Sequence, residues 1–340
     1  MKKMKVMTIV GTRPEIIRLS EIIKKLDKYY EHILVHTGQN WDYKLNEIFF
    51  QELSLRSPNY YLNSVGSTLG ETMGNIISES YNIMTKEKPD ALLILGDTNS
   101  ALSSISAKRL KIPIFHMEAG NRCFDENLPE EINRRIVDHI SDVNLTYTEH
   151  ARRYLLSEGC RKEHIYVTGS PMTEVLAKNK MKIEQSKVLN TLNLKPKEYI
   201  LVSAHREENI DNQNNFFSLM NAINKVAEVY NMPVIYSTHP RSKKYIEQRK
   251  FKFHPFVKNL EPFGFFDYNK LQLNSYCVLS DSGTVPEEAA ILNFPAVSIR
   301  TSTERPEALD KGRIILGGIS DDEILQSIKI AYDIWENNKE

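Results

Sequence analysis

Little in this chain ties it to a disulfide scaffold, a membrane or a polyanion. Its 340 residues include only three cysteines. Cys123, Cys160 and Cys277 are scattered and form no CxxC pair, which argues against a disulfide framework and a zinc site and suits a reducing cytoplasm. Charge of neither sign dominates: Lys plus Arg and Asp plus Glu number 44 each. No bulk positive field is therefore expected to hold nucleic acid or an anionic membrane, and an anionic ligand must be met by local groups. Long apolar runs are also missing. The opening MKKMKVMTIVGTRPE turns apolar for only a few residues before Gly11, too few for a signal peptide or a membrane span, and reads as a first strand. Neither GxGxxG nor GxxxxGK[ST] follows that strand, so the dinucleotide and P-loop readings fail.

What is present is an alternation of short apolar runs with longer stretches of helical period, the βαβ signature of parallel sheets covered by helices. The first half carries KVMTIVG (5–11), HILVHTG (32–38), ALLILGD (91–97), IPIFHMEA (112–119), DVNLTYT (142–148) and HIYVTGS (164–170). The second restarts with YILVSAH (199–205), PVIYSTHP (233–240), YCVLSDSG (276–283), FPAVSIRT (294–301) and RIILGG (313–318). This predicts an α/β chain of two Rossmann-like, doubly wound domains. A chain of this length also exceeds one ordinary core. The polar, lysine-rich stretch 175–199 marks the junction, giving expected domains 1–175 and 176–340.

Ligands of open α/β sheets gather beyond the carboxyl ends of the strands, so the residues that follow the runs matter most. GTRPEIIRLS (11–20) opens a helix whose free amides, with Arg13 and Arg18, would favour a phosphate; the same pattern also suits an ordinary charged helix start. Asp97 ends a very apolar strand, as a helix cap or as a functional acid. Glu118 interrupts an otherwise buried strand, where a carboxylate is costly unless paired or functional. In LPEEINRRIVDH, Glu130 with Arg134 and Glu131 with Arg135 each share a helix face, as solvated ion pairs or as part of a site. His205, beside Arg206 and Glu207, occupies the slot in the second half that Arg13 has in the first, and STHPR repeats the pattern with His239 and Arg241. In DSGTVPEE, the amides and hydroxyls of Ser282, Gly283 and Thr284 suit a diphosphate at a helix amino end, with Glu288 placed for sugar or ribose hydroxyls. Arg305 in TSTERPE can take phosphate bidentately. Together these elements fit a diphosphate-linked sugar.

In order, GTRPE, GDT, EAG, PEEINR, HRE, DSG and TERPE resemble the non-hydrolysing UDP-N-acetylglucosamine 2-epimerase family over nearly the whole chain. The wording GTRPEIIRLS, HMEAGNRCFDENLPEEINRRIVDH, SAHREENID and FGFFDY is similar to the branch called UDP-N-acetyl-L-fucosamine synthase, which serves capsule or O-antigen assembly. The resemblance implies a GT-B-like pair of domains facing a cleft, a cytoplasmic homodimer, a UDP-sugar substrate, and neither NAD nor metal. It implies removal of the C2 proton with loss of UDP, an enzyme-held glycal, and re-addition of UDP after reprotonation on the other face. Asp97, Glu118 and Glu130 match the family's catalytic carboxylates, Arg134 its neighbouring arginine and His205 its histidine; Arg13, Ser282, Glu288 and Arg305 match nucleotide contacts. Three local departures stand out. Arg18 replaces a lysine, GQNW (38–41) replaces a stretch near the effector site of substrate-activated members, and the uracil-side glutamine is lost within EPFGFFDY (261–268), where Phe263 or Tyr268 would face the base. A return helix that family members place after this point is expected to be missing beyond Glu340. A GT-B glycosyltransferase and a non-catalytic nucleotide-sugar-binding regulator remain open on the same residues.

Overall fold

The computed structural model describes residues 3–38, 43–124, 128–300 and 314–338. The chain divides into two units, Met1–Lys178 and Asn179–Glu340.

In the first unit the strands are β1 (Lys5–Val10), β2 (Glu31–His36), β3 (Tyr60–Tyr61), β4 (Ala91–Leu95), β5 (Ile114–Met117), β6 (Val143–Thr146) and β7 (Ile165–Val167). They form one sheet in the order β3-β2-β1-β4-β5-β6-β7, and every pair is parallel. The chain winds outward from β1 through β2 to β3, then returns across the sheet to β4. The seam between β1 and β4 is thus where successive connections part to opposite sides, the place where such sheets bind ligands.

The second unit repeats the plan with β8 (Ile200–Ser203), β9 (Val234–Ser237), β10 (Val257–Leu260), β11 (Cys277–Ser280), β12 (Ala296–Ser298) and β13 (Ile315–Leu316). Its order is β10-β9-β8-β11-β12-β13, again parallel throughout, with the seam between β8 and β11. Each unit is therefore a Rossmann-like doubly wound sheet, and the fold class is α/β of the GT-B-like kind.

The central strands read as unbroken apolar runs because helices cover both faces. All five residues of β4 are buried, as are Val6 to Val10 of β1. In the first unit Met7, Ile9, Val35, Leu92, Ile94 and Ile114 pack into one cluster. The second unit has a cluster on each face of its sheet: Val202, Tyr236 and Leu279 belong to one, and Leu201, Ile235 and Val278, their neighbours in sequence, to the other. Each such side chain stabilises the fold by about 1.5–3 kcal/mol on burial.

The junction stretch is less of a linker than its composition suggests. Helix Met172–Gln185 runs through it and a short helix follows at Val188–Thr191, with Val175, Leu176, Ile183 and Val188 buried. No helix among the described residues is long and apolar enough to cross a membrane.

Candidate active site

In the first unit, helix Arg13–Tyr29 starts at the end of β1 because Thr12 caps it in extended conformation. Glu15 closes the turn: its Oε2 accepts from the backbone N–H groups of Gly11 (3.1 Å) and Thr12 (2.7 Å) and from Thr12 Oγ1 (2.7 Å). Its other oxygen accepts from Ser100 Oγ, across the β1–β4 seam. Burial pushes the Glu15 carboxyl up, and the bonds from Ser100, Thr12 and Gly11 oppose that rise. Arg13 lies half-buried with its guanidinium 5.5 Å from the Phe49 ring centre.

Asp97 and Glu118 follow adjacent strands, since Leu95 of β4 pairs with Met117 of β5. Each carboxylate is met by an arginine. Arg134 donates to Asp97 Oδ2 from Nε (3.0 Å) and Nη2 (2.6 Å). Arg18 donates from Nη1 to Glu118 Oε2, both side chains nearly buried. Arg18, expected to face a phosphate, is thus seated on a carboxylate. Glu118 holds a left-handed backbone (φ +63°), unusual for a residue with a Cβ. Two residues on, Gly120 (φ +81°) passes so close to helix Glu149–Ser157 that a Cβ would lie 2.4 Å from the Ala151 carbonyl oxygen.

Helix Pro129–Ile140 carries Glu130, Glu131, Arg134 and Arg135. Glu130 is half-buried. Glu131 is fully buried: Oε2 accepts from the Cys123 backbone N–H (3.2 Å), Cys123 Sγ (3.2 Å) and Arg134 Nη1 (2.9 Å), and Oε1 accepts from Arg135 Nε (3.3 Å). Burial alone would raise its pKa, but the Cys123 bonds and the charges of Arg134 and Arg122 bring it below the usual carboxylate range. A purely solvated pair of i,i+4 bridges is therefore not what this helix presents.

Directly beneath lies a chain of buried charge. His116 Nε2 donates to the Gly96 carbonyl (2.8 Å) and Nδ1 faces Asp138 Oδ1 (2.9 Å). Asp138 Oδ2 accepts from Arg122 Nη1 (2.7 Å), and both its oxygens accept from the Gly120 N–H (3.2 Å). Arg122 grips Glu158 bidentately at 2.7 and 2.6 Å.

The second unit gathers its candidates around Asp281, which is fully buried at the end of β11. Its Oδ2 accepts from the backbone N–H groups of His205 (2.8 Å) and Arg206 (2.9 Å) and from Asn209 Nδ2 (3.2 Å). Its Oδ1 lies 3.3 Å from His205 Nδ1. The Asp281 charge beside Nδ1 favours a proton there, which leaves Nε2 as the nitrogen that can take or give one. The His239 ring, whose Nδ1 accepts from the Arg241 N–H to cap helix Pro240–Gln248, lies 5.3 Å from the His205 ring.

Ser282, Gly283 and Thr284 form a half-exposed turn before helix Val285–Leu292, with the Ser282 and Thr284 hydroxyls 3.1 Å apart. Glu288 sits one turn into that helix, buried, and accepts from Gln272 Nε2 at 2.6 Å. Phe263 and Tyr268 pack half-buried against the core face that includes Val285 and Ala289. Arg305 lies outside the described residues, as does part of GQNW.

The model of the UDP-N-acetylglucosamine 2-epimerase family matches residues 24–340. The chain belongs to that family. The enzyme is an isomerase, a non-hydrolysing UDP-sugar 2-epimerase. It is 50% identical to UDP-N-acetylglucosamine 2-epimerase from Rickettsia bellii, covering 97% of this chain and 88% of that one, with a TM-score of 0.91. The crystal structure of Methanocaldococcus jannaschii UDP-GlcNAc 2-epimerase, a complex with UDP-GlcNAc and UDP, matches at 38% identity with a TM-score of 0.92, covering 99% and 94%. The UDP-2,3-diacetamido-2,3-dideoxy-D-glucuronate 2-epimerase of Pseudomonas aeruginosa is 34% identical over 96% of this chain and 92% of its own.

Sequence reasoning passed over four groups of this epimerase: His116, Arg122, Asp138 and Asp281. His116 had a signal, because a polar ring in the otherwise apolar strand IFHM is costly to bury unless partnered, the same reasoning that singled out Glu118. The partners of Arg122 and Asp138 follow no spacing rule.

Proposed function

We propose that this enzyme interconverts UDP-2-acetamido-2,6-dideoxy-L-talose and UDP-N-acetyl-L-fucosamine, with acids of the first unit working on the hexose and groups of the second holding UDP. The observation that carries the chemistry is the pair Asp97 and Glu118, on adjacent strand ends and each on its own guanidinium. Inversion at C2 needs one group to take the proton from one face and another to return it to the opposite face. As the C2–H bond breaks, its proton goes to a carboxylate and its electron pair forms the C1=C2 bond. The C1–O bond breaks in turn, and UDP leaves with the electrons of that C1–O bond. Re-addition reverses the steps with the proton delivered from the other side. Glu130 is the third acid in this scheme.

Arg134 supports Asp97 and Arg18 supports Glu118, while His205, oriented by Asp281, serves the departing UDP with Arg13 and Arg305. Ser282, Gly283 and Thr284 take the diphosphate, Glu288 the ribose, and Phe263 or Tyr268 the base. The sugar assignment rests on the branch wording of GNRCFDENLPEEINRRIVDH and SAHREENID. Interconversion of UDP-GlcNAc with its C2 epimer is a second reading, favoured by the names of the Rickettsia bellii and Methanocaldococcus jannaschii relatives. The proposal extends to a homodimer in solution, to be measured by light scattering.

Incubation of each UDP-sugar in deuterated water, followed by NMR, tests the reading. Deuterium at C2 of UDP-N-acetyl-L-fucosamine and its epimer is the expected result. Exchange confined to UDP-GlcNAc selects the second reading, and retention of all protium in folded protein rejects both.

A further inference from the structure

His116 is a fully buried histidine with a carbonyl oxygen on Nε2 and a carboxylate oxygen in ion-pair contact, 2.9 Å from Nδ1. A carbonyl oxygen can only accept, so the 2.8 Å contact with Gly96 requires a proton on Nε2. At Nδ1 the proton could in principle reside on either partner. Asp138 decides this, because its oxygens already accept from the Gly120 N–H and from Arg122, an arrangement that favours the ionised carboxylate and leaves the second proton on the ring. His116, Asp138, Arg122 and Glu158 then alternate in sign, which is how a buried charge avoids the cost of standing alone.

The placement of this chain is specific. The Gly96 carbonyl precedes Asp97, and the Gly120 N–H follows Glu118 by two residues, so one ion pair ties down both strand ends that carry the carboxylates. The groups facing the ring are the Gly96 carbonyl and Asp97 beyond β4, and Asp138 from helix Pro129–Ile140. Arg122, Glu158 and Cys160 surround Asp138 from the far side.

We propose that His116 is a positioning residue, held as an imidazolium between the Gly96 carbonyl and Asp138, which fixes the strand ends bearing Asp97 and Glu118. This rests on the roles given to those carboxylates above. Burial pushes the His116 pKa down, but the Asp138 bond and charge outweigh it, and the ring stays protonated above the usual histidine range, with Asp97 adding to the effect.

Two measurements test this. In wild-type enzyme labelled with ¹⁵N-histidine, NMR at about pH 8 is expected to show His116 protonated at both ring nitrogens; a neutral ring overturns the proposal without any variant. In His116→Gln and His116→Asn, kcat is expected to fall at least ~10-fold, as displaced reacting groups do. UDP affinity should stay within about threefold of wild type, so that the loss falls on kcat and not on binding. A folded variant that keeps wild-type kcat, or that loses UDP affinity in step with kcat, overturns the proposal, since a general packing defect does not spare binding. If wild-type enzyme turns over no UDP-sugar, the function proposed above fails. Hydrogen exchange of the amides at residues 96–97 and 118–120 in wild type and variant then replaces the rates: faster exchange confined to those strand ends supports the inference, and unchanged exchange overturns it.

Discussion

Replacing Gly120 by alanine strains the structure twice. The residue has φ +81°, and a left-handed conformation costs a side-chain-bearing residue about 1–2 kcal/mol. The new Cβ would also meet the Ala151 carbonyl oxygen at 2.4 Å, the Ala151 carbonyl carbon at 2.9 Å and Leu155 Cγ at 3.0 Å. Two of the three atoms are backbone at the start of a helix and have no rotamer in which to retreat, so an overpacking cost of about 1–3 kcal/mol adds to the first. The sum, roughly 2–5 kcal/mol, is a large part of a domain's ~5–15 kcal/mol.

Gly159→Ala is the internal control: its φ is +87°, yet nothing lies within 4 Å of the added Cβ, so it reports the conformational term alone. Hydrogen exchange of the β5 and β6 amides, with steady-state kinetics on the same samples, separates the two. Gly120→Ala should lose at least ~1 kcal/mol more than Gly159→Ala. It should also lose about 10²-fold in rate as Glu118 shifts, whereas Gly159→Ala stays active. Equal destabilisation of the two variants, within about 0.5 kcal/mol, would refute the claim that Gly120 is fixed by its contact with the helix.

Other outcomes follow from the same geometry. Glu131→Gln leaves Arg134 and Arg135 without their shared buried anion and should cost about 3 kcal/mol, read from the urea midpoint of the first unit; a loss below about 1 kcal/mol counts against this role. Asp281→Asn keeps the shape but not the charge facing His205, so kcat should drop ~10–100-fold with UDP affinity largely kept, and an unchanged kcat removes Asp281 as the orienter. His36 at the end of β2 is brought down from 6.5 to about 4 by burial. Its neutral form is the folded one, so stability is lost as pH falls from 6.5 towards 4, where the unfolded chain takes up a proton that the folded chain refuses. That loss is at most about 3 kcal/mol. Replacing His36 by Phe should flatten stability over that window, and an identical acid slope in both proteins would exclude it as the source.

The strands at the centre of each sheet, β1, β4, β8 and β11, were plain in the sequence because they are buried on both faces and so carry apolar runs. The two strands that escaped notice, β3 (Tyr60–Tyr61) and β10 (Val257–Leu260), are the outer edges of their sheets. β3 is two half-buried tyrosines, and β10 reads VKNL with both polar residues exposed. An edge strand has one neighbour and partial cover, so nothing forces the run that betrays a central strand. Asp97 and Glu118 were legible for the complementary reason, as acids where apolar strands end. Which arginine meets which acid was not. Arg134 pairs with residue 97 and Arg18 with residue 118, separations of 37 and 100 residues that only the winding of the sheet brings together. The same holds for Asp281, 76 residues from His205.

The left-handed backbone at Glu118 bears on how this enzyme would respond to directed evolution. Asp and Asn adopt that conformation more readily than Glu, but either would leave the nearly buried Arg18 short of its anion, a loss that outweighs the backbone gain. Under the proposed mechanism an aspartate would also be one methylene short of the hexose. Hardiness and turnover therefore both hold that codon, and a library meant to toughen the protein without silencing it should leave it untouched.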